Sequence, residues 1–197
     1  VTATVPATGR DVLLQATADA ARAAVLRRYR PDSCIATTRV VIEALRYFGV
    51  TARPWAVDLQ IYNAAAWAAR AGDVPAADWP DDAWTIGIAP AGYAASGATD
   101  QNNVGHVVAV TAGRLVDASI DQASRPAKGL TLTPVVAALP DGFNPADTTA
   151  TIGYTLDGVH LLYRASGSGE FRRSRNWSRS PENRAIVAET IRALRDG

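Results

Sequence analysis

Arg30-Pro31-Asp32-Ser33-Cys34 is the stretch from which the chain is best read. Pro31 disfavours helix in the residue before it. Asp32 or Ser33 then offers a side-chain oxygen to a backbone N–H at a new helix start. Ile35, Thr38, Ile42 and Leu45 recur at helical spacing and Gly49 supplies a stop, which predicts an amphipathic helix from Cys34 to about Phe48. Cys34 is the single cysteine of 197 residues and falls on the first turn. The positive end of the helix dipole favours thiolate, the nucleophilic form of the side chain.

Outward toward the N-terminus, residues 1–8 have no periodicity and read as a loose arm, and Asp11–Arg28 reads as an alanine-rich helix. Its expected buried stripe is Val12, Leu13, Ala16, Ala20, Ala23 and Leu26. Beyond Gly49, Trp55, Val57, Leu59 and Ile61 alternate with more polar residues and predict a half-buried strand. Asn63 is placed to cap a short helix from Ala64 to Ala71, closed by Gly72. Residues 73–83 read as a loop, Trp84–Ile88 as a strand, and Pro90–Asn103 as a long loop of the kind that often carries function. Strands are expected over Gly105–Thr111, from Arg114 to about Ile120, over Leu130–Val136, and on both sides of the hairpin turn Asp157-Gly158. Residues 167–180 form a basic surface segment, and Ser180-Pro181 opens a C-terminal helix over 181–195, with Ile186, Val187, Ile191 and Leu194 available to the core. Helices come mainly first and strands later, which argues for an α+β architecture, with the helices packed on a mainly antiparallel sheet, in one domain spanning 1–197.

Composition limits the function classes. Hydrophobic content of 48% and charged content of 20% are those of a soluble globular protein. The net charge of +1 hides an uneven distribution: residues 54–160 hold 11 acidic and 4 basic side chains, the two flanks together 8 and 16. An acidic face and a basic face are expected. One cysteine excludes an internal disulfide and a multi-cysteine metal site, and two distant histidines argue against a zinc site; thiol chemistry at Cys34 needs neither a metal nor an organic cofactor, and none is expected. No apolar run is long enough for a membrane helix and no secretory pattern opens the chain; a cytoplasmic setting is the expectation. Abundant alanine and arginine beside a single lysine suit a GC-rich bacterial or bacteriophage genome.

A nucleophile at a helix start needs a base and a group to orient that base. A two-residue turn at Ala112-Gly113 pairs Thr111 with Arg114, Val110 with Leu115 and Val108 with Asp117. His106 then shares a face with Val108, and His106 and Asp117 become diagonal neighbours. Cys34, His106 and Asp117 are therefore the candidate catalytic residues: the imidazole takes the thiol proton and the carboxylate fixes the imidazole. Asp121 is the alternative acid by strand parity. The Cys34 backbone N–H is one candidate oxyanion donor, with Tyr29 and Trp84 considered for the second. The bland readings stand beside these: a lone cysteine is most often a buried small hydrophobe, His106 could satisfy a loop carbonyl, and Asp117 could bond a turn backbone. His160 reads as a packing residue. Trp55, Trp67 and Trp84 could floor an apolar groove, and the run 172–179 with Trp177 could contact nucleic acid.

These segments resemble the transglutaminase-like branch of the papain-like fold. The similarity rests on Cys34 at a helix start, the Phe48-Gly49-Val50 step into a strand, Gly105-His106-Val107-Val108 and Leu115-Val116-Asp117-Ala118-Ser119, in the family's chain order of Cys, His, Asp. Asp117-Ala118-Ser119-Ile120-Asp121-Gln122 is similar to an Asp-x-Thr-x-x-Gln pattern of bacterial members. Val107 departs from the aromatic residue that often follows the histidine, and Asp32-Ser33 and Ile35 depart from the usual glycine-rich surroundings of the cysteine. The resemblance covers residues 30–122 and implies a cysteine-dependent hydrolase or acyl-transferase. It would act through a thioacyl-enzyme on a peptide, protein or small acyl substrate. A catalytically inactive binding or scaffold protein of the same fold is the alternative, and a nucleic-acid-associated protein a more distant one.

Overall fold

The computed structural model describes residues 9–30, 32–88 and 105–196. The protein is α+β: among the described residues there are four α-helices and seven strands, and the strand pairs are antiparallel. The chain divides into two compact units, one made of residues 1–55, 107–139 and 171–197, the other of residues 56–106 and 140–170. The division sharpens the charge asymmetry seen in the sequence. The first unit carries 18 basic and 9 acidic residues, the second 2 basic and 10 acidic.

The first unit contains helices α1 (Gly9–Leu26), α2 (Cys34–Tyr47) and α4 (Pro181–Asp196). They pack on one another, and α1 also meets β4 (Arg114–Asp117) and β5 (Val135–Ala138). The sheet runs in the order β5-β4-β3-β1, where β3 is His106–Thr111 and β1 is Ala52–Asn63; only residues 107–111 of β3 and 52–55 of β1 belong to this unit. Leu14, Ala18, Val25, Val40, Val41, Leu45, Val116 and Ile186 join in one apolar core.

Helix α2 matches its expected span and is buried nearly all round, with Thr38, Ile42 and Leu45 inside as their spacing requires. Gly49 adopts φ +75°, and the N–H of Val50 reaches back to the Leu45 carbonyl; only glycine takes this left-handed stop without strain. In α1 the expected stripe is rotated. Val12, Ala23 and Leu26 are exposed, whereas Leu14, Ala18, Ala21 and Val25 are buried. Alanine fits either face of a helix, so the pattern there carried little phase information, and a buried Arg22 lies on the true inner face. Ser180 caps α4 by accepting from the Asn183 N–H at 3.1 Å. Ile186 is fully buried, but Val187, Ile191 and Leu194 are only half-buried, while Asn183 and Thr190 lie inside. The basic segment is not wholly superficial either, since Phe171 is buried and meets Trp177 edge-to-face at 4.9 Å.

In the second unit β1 continues with neighbours β7 (Val159–Ala165) and then β6 (Thr151–Leu156), while β2 (Thr85–Ile88) also pairs with β1. Val57, Leu59 and Ile61 alternate inward as expected. Asn63 ends β1 and caps α3 (Ala64–Ala71), accepting from the Ala66 N–H at 3.0 Å. Asp157 and Gly158, both at positive φ, form the tight turn between β6 and β7. The long loop expected at Pro90–Asn103 lies outside the described residues.

Asp58 sits on β1 opposite Arg164. Burial raises its pKa above the usual carboxylate value, and Arg164 only partly offsets this. The folded state therefore binds this proton more readily than the unfolded chain, and the residue destabilises the fold as pH rises through the raised value. We expect Asp58→Asn to melt modestly higher than wild type at neutral pH, with the difference vanishing below the carboxylate range, as measured by thermal denaturation at a series of pH values.

Candidate active site

Cys34 is the first residue of α2, 7% exposed and in no disulfide. Ser33 is the N-cap residue, but its side chain does not cap the helix. Its Oγ instead accepts from Arg22 Nη1 at 3.1 Å. The Ser33 carbonyl accepts from the Thr37 N–H at 2.9 Å and from Thr37 Oγ1 at 3.0 Å. The same Arg22 nitrogen lies 3.4 Å from Thr37 Oγ1.

Arg22 is held in turn by Asp121, with Nε to Oδ1 at 2.8 Å and Nη2 to Oδ2 at 3.0 Å. The Nη2–Oδ2 contact is a hydrogen bond and the Nε–Oδ1 contact an ion contact only, between side chains 4% and 27% exposed. Arg22 ties the middle of α1 to the first turn of α2 and to the chain just after β4. This is the residue that sequence reasoning missed. An arginine inside an alanine-rich helix gives no local sign of being buried, and its partner is 99 positions away.

Two expectations are corrected here. Strand β4 ends at Asp117, and Ile120–Ala123 is a 3₁₀ turn, so strand parity does not extend to Asp121. Asp121 pairs with Arg22, which takes it out of the role of alternative acid. Tyr29 is also otherwise engaged: its hydroxyl donates to Asn183 Oδ1 at 3.0 Å and burial raises its pKa, so it serves the contact with α4.

Helix α2 is tied to strand β3 by one short bond. Thr38 Oγ1 donates to the Val107 carbonyl at 2.6 Å, with Thr38 buried. Thr38 lies one helical turn beyond Cys34 on the same face of α2, and Val107 directly follows His106. At the other end of β3, Thr111 Oγ1 donates to the Thr51 carbonyl at 2.7 Å. These two bonds fix both ends of the strand against the α2–β1 segment.

The hairpin register agrees with the expectation at Thr111–Arg114 and Val110–Leu115; the ladder continues to Ala109–Val116, and the expected Val108–Asp117 pair is not part of it. Alternation gives His106 the parity of Val108 and Val110, and Asp117 the parity of Leu115. His106 opens β3 and Asp117 closes β4, and both are fully buried. Asp117 Oδ1 accepts from the Ser119 N–H at 3.2 Å, so the turn bond weighed in the sequence does form.

His160 is a packing residue. Its ring stacks on Trp67 at 4.8 Å, and its Nδ1 is hydrogen-bonded with Thr155 Oγ1 at 3.0 Å. Trp55 is buried and cannot floor an open groove. The Arg39 guanidinium lies over the Trp177 ring at 5.3 Å and Phe171 meets that ring edge-to-face. Among the described residues no group of three or more His, Cys, Asp or Glu is placed to hold a metal, and no helix is long and apolar enough to cross a membrane.

Comparison of the chain with protein-family models, curated proteins and solved structures finds no match.

The Arg22–Asp121 pair makes a sharp stability prediction, because one partner removed leaves a charge buried alone. We expect Asp121→Asn to cost about 3 kcal/mol in denaturant unfolding, discounted somewhat for the partial exposure of the carboxylate. The double variant Arg22→Met with Asp121→Asn should recover most of that loss.

Proposed function

We propose that the protein is a cysteine-dependent hydrolase or acyl-transferase of papain-like, transglutaminase-like type, with Cys34 as nucleophile, His106 as base and Asp117 as the group that orients His106. The observation that carries this reading is the Thr38–Val107 hydrogen bond. It anchors the first turns of α2 beside the opening of β3, the two places where the nucleophile and the base stand in the sequence. Strand alternation carried outward from the Val110–Leu115 pair, which gives His106 and Asp117 the same parity, is the second support.

In the proposed reaction His106 accepts the Cys34 thiol proton. The sulfur attacks the carbonyl carbon of an amide, ester or thioester, and the carbonyl π electrons move to oxygen. The positive end of α2 favours that oxyanion. When the oxyanion collapses, the bond to the leaving group breaks and His106 returns its proton to the departing amine, alcohol or thiol. Water, or an acceptor amine in a transferase, then attacks the thioester and regenerates the thiol. Asp117 holds the imidazole in the tautomer this cycle requires.

A second reading has its own support. Cys34 is nearly covered and His106 fully so. That burial suits a binding or scaffold protein that has kept the arrangement without the chemistry.

Alkylation separates the two. With iodoacetamide near neutral pH, native protein should be labelled at Cys34, and His106→Ala should slow the labelling about a hundredfold, the lower end of what a positioned base contributes. Equally slow labelling in both proteins would select the scaffold reading. Thr38→Val should also slow labelling, at a cost of about 1–3 kcal/mol in stability for the stranded Val107 carbonyl. That variant is read against Thr190→Val, which loses a buried helix-internal bond to the Ile186 carbonyl and should leave the labelling rate unchanged.

A further inference from the structure

Helices α2 and α4 and the segment before α4 enclose an open groove of about 410 Å³ in the first unit. Its floor is apolar, made by Val187 and Ile191, with Ala188 exposed beside them. Three arginines also line it: Arg179 and Arg184 are exposed at its rim, whereas Arg39 is largely covered beside Glu43 and Trp177.

The charges of the rim do not balance. Glu43 is the carboxylate that lines the groove, and it is shared by several guanidinium groups. Its Oε1 lies 2.8 Å from Arg39 and 3.6 Å from Arg179, and its Oε2 lies 2.9 Å from Arg46. Arg184 donates to the Arg179 carbonyl at 2.8 Å, which holds a further cation at the same edge. One carboxylate thus serves three arginines, with a fourth beside them, in a unit whose basic residues outnumber its acidic ones two to one.

A partner that supplies carboxylates to the rim and apolar side chains to the floor satisfies both features at once. Arginine binds carboxylate through two parallel N–H donors, so added carboxylates find geometry as well as charge. A polynucleotide fits less well: it offers phosphates but no aliphatic side chains for Val187 and Ile191, and the Arg39 guanidinium already lies over the Trp177 ring. The cavity has room for a few side chains rather than a whole helix.

We propose that this groove is a docking site for a short acidic peptide segment whose apolar side chains alternate with glutamate or aspartate. The site is separate from the chemistry assigned to Cys34 and does not depend on it.

The test uses the full chain and a short fluorescein-labelled peptide of alternating leucine and glutamate, followed by fluorescence polarisation. Saturable binding is expected, and it should weaken about tenfold in Arg179→Glu, a reversed rim charge. It should weaken at least as much in Ala188→Trp, which fills the groove from an exposed position without changing its charge. Cys34→Ser should bind like wild type, so failure of the catalytic reading leaves this result intact. Equal binding of a leucine–lysine peptide, equal competition by oligothymidylate, or an unaffected Ala188→Trp variant would each overturn the proposal, as would the absence of binding to a wild-type chain that circular dichroism shows to be folded.

Discussion

The ion pair between Arg22 and Asp121 is the constraint on which the first unit depends. Burying a guanidinium costs several kcal/mol unless it is paired, and here it donates to Asp121 Oδ2 and to the hydroxyls of Ser33 and Thr37, with Asp121 Oδ1 in ion contact at 2.8 Å from Nε. These contacts can form only when α1, the first turn of α2 and the turn after β4 come together. A pair of this kind adds little net stability over an apolar replacement, while loss of one partner is costly. Through the Ser33 hydroxyl it reaches the start of α2, where Cys34 stands.

From that point the order passes to the sheet through side-chain bonds to backbone carbonyls. Thr38 holds the opening of β3 and Thr111 holds its end, so the strand is fixed along its length to the α2–β1 segment. Strand β3 is buried throughout, consistent with its apolar run Val107-Val108-Ala109-Val110. His106 opens β3 and Asp117 closes β4, so each belongs to a strand rather than to a loop.

The parts of this arrangement that were legible in the sequence are those governed by local rules. The span of α2 and its glycine stop, the Asn63 cap, the Asp157-Gly158 turn and the register across Ala112-Gly113 follow from residues close in the chain. What was not legible depends on distant partners. Ser33 has the right identity for a capping side chain, yet Arg22 claims its hydroxyl. The inner face of α1 could not be phased because alanine is neutral between faces. Strand β4 stops at Asp117 rather than near Ile120, and β5 begins at Val135 rather than Leu130. Asp121 sits within a 3₁₀ turn and pairs with Arg22, so its role is set by that partner and not by an extrapolated alternation. The charge asymmetry was visible as a count along the chain, but its division between two compact units, one basic and one acidic, required the fold.

The central claim is that Cys34 forms a covalent acyl intermediate in the folded protein. Intact-protein mass spectrometry after brief exposure to a p-nitrophenyl ester tests it most directly. The account predicts a single acyl adduct, mapped to Cys34, formed by native protein and lost on unfolding in urea. No adduct on the native chain, or one that forms as fast when the chain is unfolded, would contradict it.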